Sequence, residues 1–217
     1  MRRHQGLFLS FEGTEGSGKS TQVQLLVQRL RELGFKVVEN QEPGATAIGK
    51  QIRRILLDPA NNEMTSMAEL LLMFASRAQA ASQVILPALN RGEIVVSDRF
   101  TDSTLAYQGF ARGLGFETVF AIHKVALGSL FPDLTVVLDV DLQTSLARAR
   151  RRNQETTTGS CETRIDQHAL DFHIKVAEGY RAIAALEPER FRIVDGTGPA
   201  EQVAERVWCQ VRGVVEQ

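Results

Sequence analysis

The sequence predicts an α/β fold in which a central parallel sheet of five strands is flanked by helices. Short apolar runs recur along the 217 residues, each the length of a strand. The segments between them carry apolar residues at three- and four-residue spacing, the period of a helix. The two patterns alternate throughout, which argues for parallel strands covered on both faces. No second core, internal repeat or linker interrupts them, so residues 1–217 read as a single domain.

Residues 7–11 form the first apolar strand, followed by a glycine-rich loop. A helix over 21–33 places Val23, Leu26, Val27 and Leu30 on one face, with Gly34 as its cap. Residues 35–38 are the second strand, and Gln41 to Gly44 form a turn. A helix over 47–57 is stopped by Asp58-Pro59. Ser66 followed by Glu69 reads as a capping box opening a long helix through 81 and 86, which Pro87 kinks or ends. Residues 93–96 are the third strand, ending in Ser97-Asp98-Arg99.

A polar, glycine-bearing stretch runs over 101–115. A helix follows over 117–127, then the fourth strand over 134–139. Arginines crowd residues 147–152. The run NQETTTGSC after them has almost nothing to bury, so a lid is expected at about 150–165. Helical spacing resumes over 167–186, and 191–194 is the fifth strand. Pro199 suits the first turn of a last helix, with Val203, Val207 and Val211 on one face.

The formal charge is −1, which gives no general attraction to nucleic acid or membranes. No stretch is long and apolar enough to span a bilayer. The start, MRRHQGLFLSFEG, reads as a first strand and not as a signal peptide. Cys161 and Cys209 suggest no disulfide framework, so a reduced, cytoplasmic setting is expected. His4, His123, His168 and His173 show no metal-ligand spacing.

The sharpest motif is Gly13-Thr14-Glu15-Gly16-Ser17-Gly18-Lys19-Ser20, which fits G-x-x-x-x-G-K-[ST] between a strand and a helix. Its backbone N–H groups can ring phosphate oxygens at a helix N-terminus. Lys19 is placed to reach the β- and γ-phosphates of a bound nucleotide. Ser20, with Thr21 beside it, is placed to offer a hydroxyl to Mg2+. A row of arginines follows: Arg53, Arg54, Arg77, Arg99, Arg112, the run 148–152, and Arg164. Their forks suit phosphate oxygens and a transferring phosphoryl group. Arg99 closes an inner strand, where α/β sheets bind ligands.

These segments together resemble the bacterial thymidylate kinases, which transfer the γ-phosphate of ATP to dTMP. The resemblance runs through FEGTEGSGKST (11–21), EPGAT (42–46), IRRILLD (52–58), ELLLMFASRAQ (69–79) and SDRFTDSTLAYQG (97–109). It continues through FPDLTVVLDV (131–140) and RIDQ (164–167). It implies a P-loop nucleoside monophosphate kinase-like fold with a lid, Mg2+ with ATP, and a homodimer. Another nucleotide or nucleoside kinase is the nearest alternative. A P-loop regulatory module is the alternative of a different class.

The resemblance also implies roles. Glu15 faces the acceptor's 3'-hydroxyl. Arg53 and Arg99 hold its 5'-phosphate, and Asp98 lies by the magnesium and the incoming phosphate. Arg77 meets a thymine carbonyl, with Thr104 and Gln108 at the base edge. Tyr107 lies against the sugar near C2'. Met73 stands where the family usually has an aromatic, so either it or Phe74 covers the base. Glu42, next to Pro43, supports Arg99 or another acceptor-site group. Gln41 replaces an arginine common in the family. Ser17 stands where some of these kinases carry a loop arginine, so the catalytic arginine is expected from the lid: Arg152 first, then Arg151 and Arg164. Arg148 is placed against adenine and Thr197 at its border.

Overall fold

The computed structural model describes residues 5–155 and 170–216, without the side chains of 150 and 152–155. Of the lid expected at about 150–165, residues 156–165 lie outside the described residues, as do Arg164, Cys161, His4 and His168 and the side chain of Arg152.

The strands are β1 (Leu7–Glu12), β2 (Val37–Gln41), β3 (Ile94–Asp98), β4 (Leu134–Asp139) and β5 (Phe191–Asp195). They form a parallel sheet ordered β2-β3-β1-β4-β5. The order reverses at β1, so the ends of β1 and β3 border the crevice where such sheets bind ligands. The second strand starts later than its apolar run, because Phe35 is 37% exposed and the pairing with β3 begins at Val37.

Strand alternation sorts the side chains into two layers. Leu7, Leu9 and Phe11 of β1 pack with Ile94, Val96, Leu134 and Val136 against one pair of helices. Those helices are α1 (Lys19–Glu32) and α9 (Ala200–Val215), which contribute Leu26, Leu30, Val207 and Val211. Pro199 is the cap of α9 and not part of its first turn.

The other face turns polar toward the strand ends. Asn40, Ser97, Ser10 and Thr135 occupy one row across β2, β3, β1 and β4. All four are buried. Glu12 and Glu42 follow this row at the edge of the crevice.

Helices α2 (Ala47–Leu57) and α3 (Ser66–Ala80) pack on that second face. Thr65, not Ser66, caps α3: its hydroxyl accepts from the Ala68 N–H at 3.3 Å. Glu69 is therefore not a capping-box acid. It is 1% exposed and faces inward. After a π turn at Ala81–Ile85 the chain continues as α4 (Leu86–Asn90), with Pro87 in its first turn.

The polar, glycine-bearing stretch 101–115 is helical over most of its length. α5 (Thr101–Thr104) runs into a π-helical segment, Leu105–Ala111. Its polar residues are buried and bonded inside the protein: the Thr101 hydroxyl to His123, Thr104 to Arg77 and Gln108 to Glu69. Composition alone reads such a segment as exposed. Next come α6 (Phe116–Leu127), α7 (Leu142–Glu155), which carries the arginine run, and α8 (Leu170–Leu186).

The phosphate loop seats directly on α7. A Cβ on Gly16 would lie 1.9 Å from the Ser145 carbonyl oxygen, and the Gly16 φ is +74°. The Thr14 hydroxyl adds a contact to Ser145 at 3.4 Å. Gly16→Ala must move the loop off α7 and strain its backbone. Strain of about 1–3 kcal/mol predicts an ATP affinity lower by roughly 10–100-fold, read by calorimetric titration.

Candidate active site

The glycine loop folds around the ammonium of Lys19. Its Nζ donates to the carbonyls of Gly13 (3.1 Å) and Thr14 (2.8 Å) and to the Ser17 hydroxyl (3.4 Å). Burial brings the Lys19 pKa down to about 8, and nearby Arg99 adds to this against the pull of Glu15, Asp98 and Glu12. A charge held this way gains strongly from an arriving phosphate. The Ser20 hydroxyl donates to Asp98 Oδ2 at 2.7 Å, joining the start of α1 to the end of β3. Thr21 is exposed beside it.

Arg99 is the hub of the crevice. It is a non-glycine residue at φ 74°, a conformation that costs free energy and clusters at working sites. The carbonyl of Arg99 accepts from the Ser97 hydroxyl at 2.6 Å, which helps hold the turn. Its Nη1 donates to the Gly13 carbonyl (3.2 Å) and the Tyr180 hydroxyl (3.1 Å). Its Nη2 donates to Glu15 Oε1 (2.6 Å) and the Tyr107 hydroxyl (3.2 Å). Burial opposes the charge, but Tyr107, Glu15, Tyr180 and Glu12 together hold the guanidinium well above its ordinary pKa.

Glu12, which the motif reading passed over, lies under this hub. Its Oε1 accepts from the Ser10 hydroxyl (3.1 Å) and the Phe100 N–H (2.7 Å). Its Oε2 accepts from the Tyr180 hydroxyl (2.9 Å) and stands 4.0 Å from Arg99 Nη1. Burial, then Asp102, pushes the Glu12 carboxyl up to about 7, although Arg99, the Phe100 N–H and Tyr180 pull the other way. Between about pH 4.5 and 7 the folded form binds the extra proton. This contribution to stability is therefore full below pH 4.5 and is lost as pH rises through 7. Glu12→Gln should remove that component: urea midpoints from pH 5 to 8 should fall less steeply in the variant than in the wild type.

Arg77 fills the far side of the crevice and is 2% exposed. Its Nε donates to Glu42 Oε2 (2.5 Å), its Nη1 to the Thr104 hydroxyl (2.9 Å) and its Nη2 to the Phe100 carbonyl (3.1 Å). Glu42 thus supports Arg77 and not Arg99. Burial raises the Glu42 pKa, while Arg77 and Asn40 oppose that rise. Asn40 donates to both Glu42 (3.4 Å) and Ser97 (2.7 Å), so Glu42 is anchored with glutamine at position 41. Arg53 donates to the Pro43 carbonyl at 2.8 Å.

Glu69, Met73 and Arg77 are one helical turn apart on α3 and lie on one face. Glu69 meets Gln108 (2.7 Å) and Arg77 meets Thr104 (2.9 Å), so Met73 sits between two polar cross-links. The Phe74 ring instead faces the Arg77 guanidinium at 5.1 Å and His123 at 6.3 Å. Thr197 is exposed, with its N–H donating to Asp195. It shares with Gly13, Thr14, Asp139, Tyr180 and Arg181 the wall of a second cleft beside the loop. Arg148 is half-buried and Arg151 exposed on α7.

Tyr180 also escaped the sequence reading. Nothing in the spacing of α8 marks it, whereas Glu12 had a signal: an acid inside the apolar run LFLSFE. Among the described residues no cluster of His, Cys, Asp and Glu could hold a metal alone.

The fold and site define a P-loop phosphotransferase with a second, arginine-lined crevice beside its phosphate loop. A family model described as thymidylate kinase matches residues 11–207. The chain is 50% identical over 206 residues to the thymidylate kinase of Pelobacter propionicus, covering 95% of this chain and 94% of that protein. It is 48% identical over 197 residues to that of Desulforapulum autotrophicum, covering 91% and 87%. It is 45% identical over 210 residues to that of Desulfovibrio desulfuricans, covering 97% and 95%. The chain belongs to the thymidylate kinase family.

Proposed function

We propose that the crevice holds dTMP with its 5'-phosphate aimed at the γ-phosphate of ATP in the glycine loop. As a thymidylate kinase, the chain phosphorylates dTMP to dTDP with ATP. One observation carries the assignment of sites: Arg99 touches the loop at Gly13, the loop acid Glu15 and the sugar-side Tyr107 at once. A group bound by Arg99 therefore lies beside whatever the loop binds.

In this reading Arg53 and Arg99 hold the acceptor phosphate, and Glu15 receives the 3'-hydroxyl. Tyr107 crowds C2', which favours deoxyribose. Arg77 donates to a thymine carbonyl, with Thr104 and Gln108 at the base edge. Met73 covers the base, because Phe74 is engaged with Arg77 and His123. Lys19 and the loop N–H groups hold the ATP phosphates. Arg148 and Thr197 border adenine.

The hydroxyl of Ser20 and the carboxylate of Asp98 are hard oxygen donors that suit Mg2+. When bound there, Mg2+ would neutralise charge on the ATP phosphates. The acceptor oxygen is already anionic, so the protein's part is alignment and electrostatics. Lid arginines, Arg152 before Arg151 and Arg164, supply the remaining charge.

The 1–217 chain is read as one domain acting in the cytoplasm as a homodimer. Exposed Met67 and Leu71 on α3, with Phe120 and Val125 on α6, support a self-association face. No helix among the described residues is long and apolar enough to cross a membrane.

An acceptor panel tests the reading. With dTMP, dUMP, dCMP, AMP, GMP and thymidine at equal concentration, dTMP should give the highest kcat/KM. Faster transfer to thymidine than to dTMP would contradict a phosphate-accepting crevice.

A further inference from the structure

We propose that buried Glu69 is a positioning residue that fixes the polarity of the Gln108 amide and so helps select thymine over cytosine. This rests on the reading that the crevice binds dTMP with Gln108 at the base edge.

Glu69 is 1% and Gln108 2% exposed, so water does little to satisfy either. Gln108 Nε2 donates to Glu69 Oε1 at 2.7 Å. Arg112 donates to the same carboxylate from Nε to Oε1 (3.2 Å) and from Nη2 to Oε2 (2.8 Å). Both oxygens of Glu69 thus accept from a guanidinium fork, which has donors only. An amide flip would set the Gln108 oxygen against a carboxylate oxygen at hydrogen-bond distance. The flip is blocked, and Oε1 of Gln108 is turned away from Glu69.

The direction it turns is set by the two rows of side chains. Arg77 is bonded to Thr104, and Glu69 is bonded to Gln108 four residues further on. Met73 lies between these cross-links on α3. A base covered by Met73 has Arg77 at one side and the Gln108 amide at the other. Arg77 has five N–H donors, of which those to Glu42, Thr104 and Phe100 engage three. The edge thus presents donors from Arg77 and an acceptor from Gln108. Thymine offers carbonyl acceptors and an N3–H donor. Cytosine offers a bare N3, which would meet the Gln108 oxygen lone pair to lone pair.

Glu42 and Glu69 then have parallel tasks. Each is a buried carboxylate that fixes one base-reading side chain, and each is itself fixed, by Asn40 and Arg112 respectively.

The test is Glu69→Gln, which keeps shape and hydrogen bonding but lets the paired amides run in either direction. The kcat/KM ratio for dTMP over dCMP should fall by roughly 10–100-fold, the scale of one misdirected buried hydrogen bond. The change should lie mainly in KM, with kcat nearly kept. In a Gln108→Ala background the same change should lower the ratio no further. A lower melting temperature with an unchanged ratio would mean that Glu69 only packs, and would overturn the proposal. An equal fall in the Gln108→Ala background would overturn it too. If Glu69→Gln does not fold, the wild-type amide decides. One Gln108 side-chain N–H, identified in the NMR spectrum by its loss in Gln108→Ala, should be shifted downfield and slow to exchange. A freely exchanging pair would count against the lock. Wild-type protein that does not phosphorylate dTMP would remove the underlying reading and the inference with it. Active wild type with an unchanged ratio in Glu69→Gln removes the inference alone.

Discussion

Glu42→Ala should destabilise the protein by about 3–5 kcal/mol, because it strands a buried guanidinium without its counter-charge. Arg77 and Glu42 are each 2% exposed at the side chain and meet at 2.5 Å. Neither can turn to water once its partner is gone. The remaining contacts of Arg77, to Thr104 and the Phe100 carbonyl, are neutral and do not replace the lost charge. Urea unfolding followed by circular dichroism measures the loss. A change below about 1 kcal/mol, the level of an exposed ion pair, would show that the pair is solvated. Catalysis should suffer as well. With Arg77 proposed to donate to the base, its loosening should raise KM for dTMP more than it lowers kcat. Glu42→Gln, which keeps an acceptor but no charge, should fall between the variant and the wild type.

Lys19→Met should lower kcat by roughly 10²–10³-fold, the scale for removing one preorganised charge from a developing anion. Its effect on stability should run the other way. Burial holds the Lys19 pKa down at about 8, so at neutral pH the folded protein keeps a poorly solvated cation. In the folded wild type this proton is lost near 8, but in the unfolded chain only near 10.5. Wild-type stability should therefore gain from this group as pH rises from about 8 to 10.5, and be lowered by it below 8. Lys19→Met removes the cost and should be as stable as the wild type or more so at pH 7. Stability surrendered for function is common at such sites. Single-turnover kinetics with saturating ATP, together with denaturant midpoints at pH 7 and 10, test both halves. A variant that loses both activity and stability would mean that Lys19 chiefly braces the loop.

Much of this was legible in the sequence, because its strongest signals are periodic or contiguous. The glycine loop is eight residues in a row, and the strand–helix alternation repeats along the whole chain. Arg53, Arg77, Arg99 and Tyr107 were reached through motifs that keep their order and spacing. The rest depended on contacts between distant residues. Over residues 101–111 the polar Thr101, Thr104 and Gln108 mask the helical pattern, yet each is satisfied by a partner on another element. Glu69 fits a capping box by spacing, but Thr65 takes the cap and Glu69 turns inward to Gln108, 39 residues away. Tyr180 reaches Glu12 across 168 residues, and no local pattern encodes that meeting. The rotation of α3 is likewise non-local: the Arg77 and Glu69 contacts put Met73 between them and turn Phe74 toward His123.

The most direct test of the account is ADP formation from ATP and Mg2+, with and without dTMP, with the nucleotide products identified. The account predicts little ADP without dTMP, and rapid ADP release with dTMP matched one for one by dTDP. ADP release that ignores dTMP, or occurs without dTDP, would contradict transfer into the Arg99 crevice.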